Sequence, residues 1–451
     1  MKNEAQLMKL AVEYVEAFRA ALVTGHDDYK RLVRSRNNGF STGARGTVEF
    51  TEQLVEAGRK LSDLATLSFG PARIHAKSVE EAARSVLFDS DGELPPKTVA
   101  RDVIANIAAA ATKTHRVIRP NQLFRLVDGV DEVNIGPVRI VRRDLLSAEI
   151  GTTNRGVRIT PQKSQSEAIT VTHSNDLADT EIHLPEVCWD VTIQGMPQKI
   201  EQEALWLVDV AVSFARLQYK EYSGLFPRLK DIEPHPVRPY QWMQEGFVVS
   251  ADAGLRFGGG TAPTWYEVGP ALVARFSEAK TRYLAEVVFS PPSRSVAERM
   301  QQVLGWMSRA RQEAEPAERL LLFFTAIEAL LSSSAKDVPI TETIARGASV
   351  IWSADQATRS SFYKAVKKLY DIRSKVIHNG FRSVAEVEAS NVHYIIWNLS
   401  YLVIHKVDLK QSHAEFIEEL KEASFGRKWN PSGVALEPEG GGVAKTAAAD
   451  Q

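Results

Sequence analysis

The chain has 451 residues, too many for one ordinary core, and its 44% hydrophobic and 25% charged content is that of a folded globular protein. A formal net charge of -1 excludes a global pull toward polyanions, so nucleic-acid binding would need a local patch. The single cysteine, Cys188, excludes an intrachain disulfide framework; next to Trp189 it reads as a small core residue, in keeping with a reducing, cytoplasmic setting.

The first 24 residues interleave Lys2, Glu4, Lys9, Glu13, Glu16 and Arg19 with apolar positions, which is not a signal-peptide pattern. No stretch reaches the roughly 18 apolar residues of a membrane span, so no membrane partner is expected. Leu7, Leu10, Ala11, Tyr14, Val15, Phe18 and Leu22 recur at helical spacing and predict an opening amphipathic helix. Residues 35–46 read as a basic loop. Helices are predicted over 47–62, 78–88 and 97–117, the last opened by Pro95-Pro96 and rich in alanine. Asp89-Ser-Asp-Gly92 reads as a turn.

The pattern changes after Pro120. Short runs over 124–127, 138–141, 157–160, 168–172 and 187–193 predict strands, and Pro197 opens a strong helix through Leu217. A proline-rich connection over 227–239 leads to two more predicted strands, 246–250 and 284–289. Phe257-Gly-Gly-Gly260 lacks the Lys-Ser/Thr of a phosphate loop and reads as a hairpin connection. His173, His183 and His235 have no metal-ligand spacing, and Trp189 and Trp206 occupy core-like positions. No metal and no cofactor is expected.

Pro291-Pro292-Ser293 marks a boundary, after which helices are predicted over 295–314, 316–333, 341–352, 357–378, 384–407 and 414–423. Asn379-Gly380 stops the fourth of these as a left-handed cap. The expected architecture is multidomain: a helical region over 1–119, an α+β domain over 120–290, an all-α antiparallel helical bundle over 291–426, and a disordered tail over 427–451.

One constellation carries chemistry. Arg373 and His378 are separated by four residues at the end of the fourth of these helices. Histidine moves protons near neutrality, and arginine offers a planar, permanent cation for phosphate oxygens. Five residues on a helix turn through about 140°, so the two side chains diverge within one chain. Arg359, Lys364, Lys367, Lys368, Arg373 and Lys375 face only Asp371 between positions 359 and 375, which makes either an RNA track or a solvated helix face. Tyr363 and Tyr370 are stacking platforms for bases or, more simply, core residues. Glu328, within an apolar helix, is either a site residue or the partner of an arginine such as Arg346 or Arg373.

The apolar helix 321–330 and the helix end 369–380, Leu-Tyr-Asp-Ile-Arg-Ser-Lys-Val-Ile-His-Asn-Gly, resemble the HEPN superfamily and especially its Apea-like branch. The resemblance covers roughly Leu320 to Val407, with the last helix through Tyr394 and Trp397 also fitting. It implies a metal-independent endoribonuclease acting as a homodimer, with Arg373 and His378 as catalytic residues and Ser374, Glu328 and Asn379 in support. RNA would lie along Lys364, Lys367, Lys368 and Lys375. It implies further a role in anti-phage defence or toxin-like growth arrest, with a protein trigger or antitoxin as partner. The residue after the arginine, often Asn, Asp or His in active members, is Ser374 here. The rival implication is a non-catalytic HEPN module, a dimerisation or RNA-binding scaffold.

Overall fold

The computed structural model describes residues 3–23, 30, 40–43, 46–90, 92–121, 123–153, 157–161, 168–173, 180–183, 186–219, 247–250, 254–257, 266–313, 315–332 and 339–431. Helices dominate among these residues, with a smaller share of strand. The chain divides into two compact units, residues 1–118 with 190–206, and residues 119–189 with 207–451.

In the first unit, helices α1 (Glu4–Ala20), α2 (Glu52–Phe69), α3 (Ala76–Asp89) and α4 (Pro96–Thr112) surround one core. Its members recur every three or four residues: Leu7, Ala11, Tyr14 and Phe18 from α1, Leu61 and Ala65 from α2, Val79 and Ala83 from α3, Val99, Val103 and Ile107 from α4. The alanines of α4 let it pack on both α1 and α3. Strands β1 (Leu22–Val23), β2 (Phe40–Gly43) and β3 (Gly46–Glu49) form a small antiparallel sheet with β3 in the centre. Thr47, placed in a helix by the sequence reading, therefore lies in a strand. The helix starts only after Thr51, whose hydroxyl accepts from the Leu54 N–H at 3.3 Å. Likewise α4 stops at Thr112, and the segment that follows, with β-branched Thr114, Val117 and Ile118, forms strand β4 (Thr114–Pro120).

In the second unit, β5 (Phe124–Leu126) pairs in parallel with β14 (Tyr266–Val268), and β6 (Glu132–Ile135) forms a hairpin with β7 (Val138–Arg142). Strands β8 (Val157–Pro161), β9 (Ala168–His173) and β10 (Thr180–His183) make an antiparallel meander, and β12 (Phe247–Ser250) pairs with β13 (Gly254–Phe257). Strand β11 (Val187–Gln194) belongs to this unit through residue 189, and there carries buried Cys188 and Trp189, the latter edge-on to Phe124 at 5.6 Å. Two helices absent from the sequence reading, α5 (Arg143–Thr153) and α7 (Pro270–Ser277), belong to this α+β part, and α6 (Pro197–Tyr219) belongs to it from residue 207 onward. The expected strand at 284–289 is helical instead, within α8 (Ala279–Phe289). Thr281, Leu284, Ala285 and Val288 are buried at helical spacing, so a short apolar run was read with the wrong period.

The β6–β7 turn is tight because Ile135 pairs with Val138 across only Gly136 and Pro137. Gly136 has φ +60°, and an added Cβ would run into the ring of Phe289, which is buried edge-on to Phe214. Gly136→Ala is expected to destabilise by about 2–4 kcal/mol, combining left-handed strain with overpacking. Urea unfolding measures it; a midpoint equal to wild type would mean the ring moves aside freely.

The remaining helices are α9 (Val296–Arg311), α10 (Pro316–Leu331), α11 (Ile340–Trp352), α12 (Gln356–Asn379), α13 (Glu386–Lys406) and α14 (His413–Ser424). Pro291-Pro292 separates α8 from α9 inside the second unit. Helix α10 packs on α9 and α13, and α11 on α12 and α14. The cap at the end of α12 is as expected: Gly380 is left-handed, and the Phe381 N–H after it donates to the Lys375 carbonyl at 3.3 Å. Of the predicted basic loop, residues 40–43 and 46 are strand rather than loop, paired across β2 and β3, and the rest lies outside the described residues, as do residues 258–260, His235 and the tail beyond 431.

Candidate functional site

Helix α12 is fixed at its start by Asp355, whose carboxylate accepts from the Thr358 N–H at 2.7 Å. Its inner face turns Tyr370 onto α10. The Tyr370 ring is 4% exposed and meets Phe324 edge-on at 5.3 Å. Its hydroxyl donates to Glu328 Oε1 at 3.0 Å, and Arg373 Nη2 reaches the same oxygen at 2.9 Å. The guanidinium of Arg373 also lies over the Tyr370 ring, 5.2 Å from its centre. Burial pushes the Tyr370 phenol up to about 12, helped by the Glu328 charge against the opposing pull of Arg373. The phenol is therefore a neutral donor, and Glu328 is the partner of Arg373.

Arg346 goes elsewhere. On α11, Glu342 accepts from Arg346 Nε at 2.7 Å, from the Tyr363 hydroxyl at 2.5 Å and from Lys367 Nζ at 3.4 Å. The Tyr363 hydrogen bond, opposed by partial desolvation and followed by that of Arg346, holds the Glu342 carboxyl below its usual range. Bonding to Tyr363 and then Glu342 raises the Lys367 ammonium. Lys367 is thus tied into an α11–α12 bridge. Arg359 is tied as well: it donates to the Ser353 carbonyl at 2.6 Å and the Ala423 carbonyl at 3.1 Å, capping the ends of α11 and α14. Tyr363 and Tyr370 each have their hydroxyl bound to a glutamate; Tyr370 is the core residue expected, whereas Tyr363 is only half-buried.

What remains open on α12 is one face. Lys364, Lys368, Lys375 and His378 are exposed, and their spacing keeps them within about 80° of one another on a regular helix. Asp371 lies among them. Exposed His378 and Asn379 and half-buried Ser374 make no side-chain hydrogen bond among the described residues. Arg373 turns inward and His378 outward, so one chain does not bring the pair together.

Three buried polar groups lie outside the sequence expectations. Asp209 on α6 is fully buried and accepts from Ser308 Oγ at 2.9 Å, Gln312 Nε2 at 2.6 Å and Arg309 Nε at 3.2 Å. Its signal was a lone acid inside an otherwise apolar helical run. His393 on α13 stacks on Phe323 at 4.6 Å, with Arg311 Nη1 3.3 Å from its Nε2. Burial, then the charges of Arg311, Arg216 and Arg319, push its imidazole well below the usual range. It is a neutral core histidine. His413 is another, bonded to the Leu330 carbonyl at 2.8 Å, with burial lowering its imidazole. Among the described residues no group of three or more His, Cys, Asp or Glu side chains is placed to hold a metal. No helix there is long and apolar enough to cross a membrane.

Neither a protein family, a curated protein nor a solved structure matches the chain. The functional reading rests on the residues themselves.

Proposed function

We propose that this protein is a metal-independent RNA endonuclease of HEPN type. The observation that carries the reading is an oriented arginine and an exposed histidine at the end of one helix, beside three exposed lysines. The reaction is an internal transfer. The ribose 2′-oxygen attacks phosphorus as its proton is removed, the bond to the 5′-oxygen breaks, and that oxygen takes a proton. A 2′,3′-cyclic phosphate and a 5′-hydroxyl result. His378 moves one of these protons, and Arg373 stabilises the charge that grows on the phosphoryl oxygens. Because the two side chains diverge on α12, a second copy related by a two-fold axis supplies the converging pair. The chain then acts as a homodimer through the helices from 291 to 426, with the preceding residues as sensor. A cytoplasmic role in anti-phage defence or growth arrest, released by a protein trigger or held by an antitoxin, belongs to the same reading.

The test is RNA cleavage by the full-length protein in EDTA, with product ends analysed. Cyclic phosphate ends support the proposal; cleavage that EDTA abolishes contradicts it.

The second reading is a non-catalytic HEPN scaffold that dimerises and binds RNA. Ser374 in place of the usual neighbour of the arginine favours it, as does the ion pair that already holds Arg373. Both readings place RNA on the open lysines, and here the geometry narrows the expected patch. With Lys367 and Arg359 tied elsewhere, Lys364, Lys368 and Lys375 remain. Each phosphate neutralised on single-stranded RNA contributes about 0.7 to the salt slope, so replacing all three by alanine should reduce the slope by about 2. Filter binding from low to moderate salt measures it, and an unchanged slope removes the stripe from the binding surface.

A further inference from the structure

We propose that Tyr370 is a positioning residue of this site, its hydroxyl and Glu328 together holding the Arg373 guanidinium in one orientation for a phosphate. The assignment deepens the nuclease reading and rests on it for its catalytic arm. A glutamate on its own is a poor anchor, because its terminal torsion is broad and its carboxylate swings. Here a second donor fixes it. Tyr370 is itself held edge-on by Phe324, and its hydroxyl donates at 3.0 Å to the same Oε1 that receives Arg373 Nη2 at 2.9 Å. The tyrosine ring lies beneath the guanidinium, so one residue controls the arginine both directly and through its counter-ion. One guanidinium edge is engaged, and a five-donor group keeps further N–H groups for a phosphate. Packing against Phe324 would need only the ring. The hydroxyl is what a packing role leaves unexplained, and the phenol stays protonated at any pH near neutrality.

The first measurement does not depend on activity. Full-length protein labelled with nitrogen-15 arginine reports guanidinium rotation by NMR, with Arg373→Lys identifying the Arg373 signals. Wild type is expected to show resolved Nη signals from hindered rotation. Tyr370→Phe, which keeps the ring on Phe324, and Glu328→Ala are expected to collapse them to an average. The second measurement is initial-rate cleavage in EDTA. There Tyr370→Phe is expected to lower kcat about 10-fold with KM within about twofold, the worth of one hydrogen bond to a charged group. Resolved Nη signals in Tyr370→Phe, averaged signals already in wild type, or an unchanged kcat in an active enzyme each overturn the assignment. A rigid Arg373 in a folded wild type that forms no product overturns the nuclease reading instead, and leaves the hold of Tyr370 on Arg373 standing.

Discussion

His378→Ala is expected to lower RNA cleavage in EDTA by about 10²- to 10⁴-fold, the span over which a positioned acid or base contributes. The same substitution should leave folding stability within about 0.5 kcal/mol of wild type, because it removes an exposed side chain with no described hydrogen bond. That separation is what makes His378 the informative position. Arg373→Ala would also abolish cleavage under the proposal, but it strips Glu328 of its ion pair and uncovers the Tyr370 ring, so a loss there mixes folding with chemistry. His393 and His413 cannot stand in for His378. Both are buried, and both are held neutral by burial. Thermal unfolding beside single-turnover cleavage reads the two effects separately. Equal cleavage by wild type and His378→Ala would sink the catalytic role and leave the scaffold reading.

Much of the local structure around this helix end was legible, and much of the charge accounting was not. Asn379-Gly380 announced the stop of α12 because a left-handed cap is a local demand on one residue. The divergence of positions 373 and 378 follows from helix geometry alone, and the inward arginine and outward histidine agree with it. The partners of the basic residues are tertiary. Arg359 caps carbonyls at Ser353 and Ala423, the second 64 positions away, and Lys367 meets a glutamate on α11. Six apparent cations of one stripe thereby shrink to three lysines on the open face. Glu328 stayed open in the sequence between a site residue and the partner of an arginine such as Arg346 or Arg373, because the choice depends on which helix packs against α10. The errors have a common cause. Over 284–289 a short apolar run fits two periods, and over 114–117 Thr114 and Val117 suit a strand while the alanine-rich helix before them suggests continuation; neighbours outside each segment decided.

Asp209 supplies a test of the second unit that is independent of any activity. Asp209→Ala is expected to destabilise it by about 3–5 kcal/mol, since it removes the carboxylate that satisfies Ser308, Gln312 and Arg309 and leaves buried donors without it. Asp209→Asn keeps an acceptor for Ser308 and Gln312 while discarding the buried charge, so at neutral pH it should stay much closer to wild type. The dependence on pH has a definite sign. Desolvation raises the Asp209 carboxyl to about 6, against the pull of Ser308, Arg309 and Gln312. A carboxyl raised on folding binds its proton more tightly in the folded state than in the unfolded one. Its stabilising contribution is full below the unfolded value of 3.8 and is lost as pH rises through about 6. Wild type should therefore lose melting temperature relative to Asp209→Asn between those limits, with the difference flat above them. A wild-type advantage that grows with pH would mean that the arginine, not burial, governs this carboxylate. Arg309 is itself 37% exposed, and water screens an ion pair at that depth, so burial is expected to dominate.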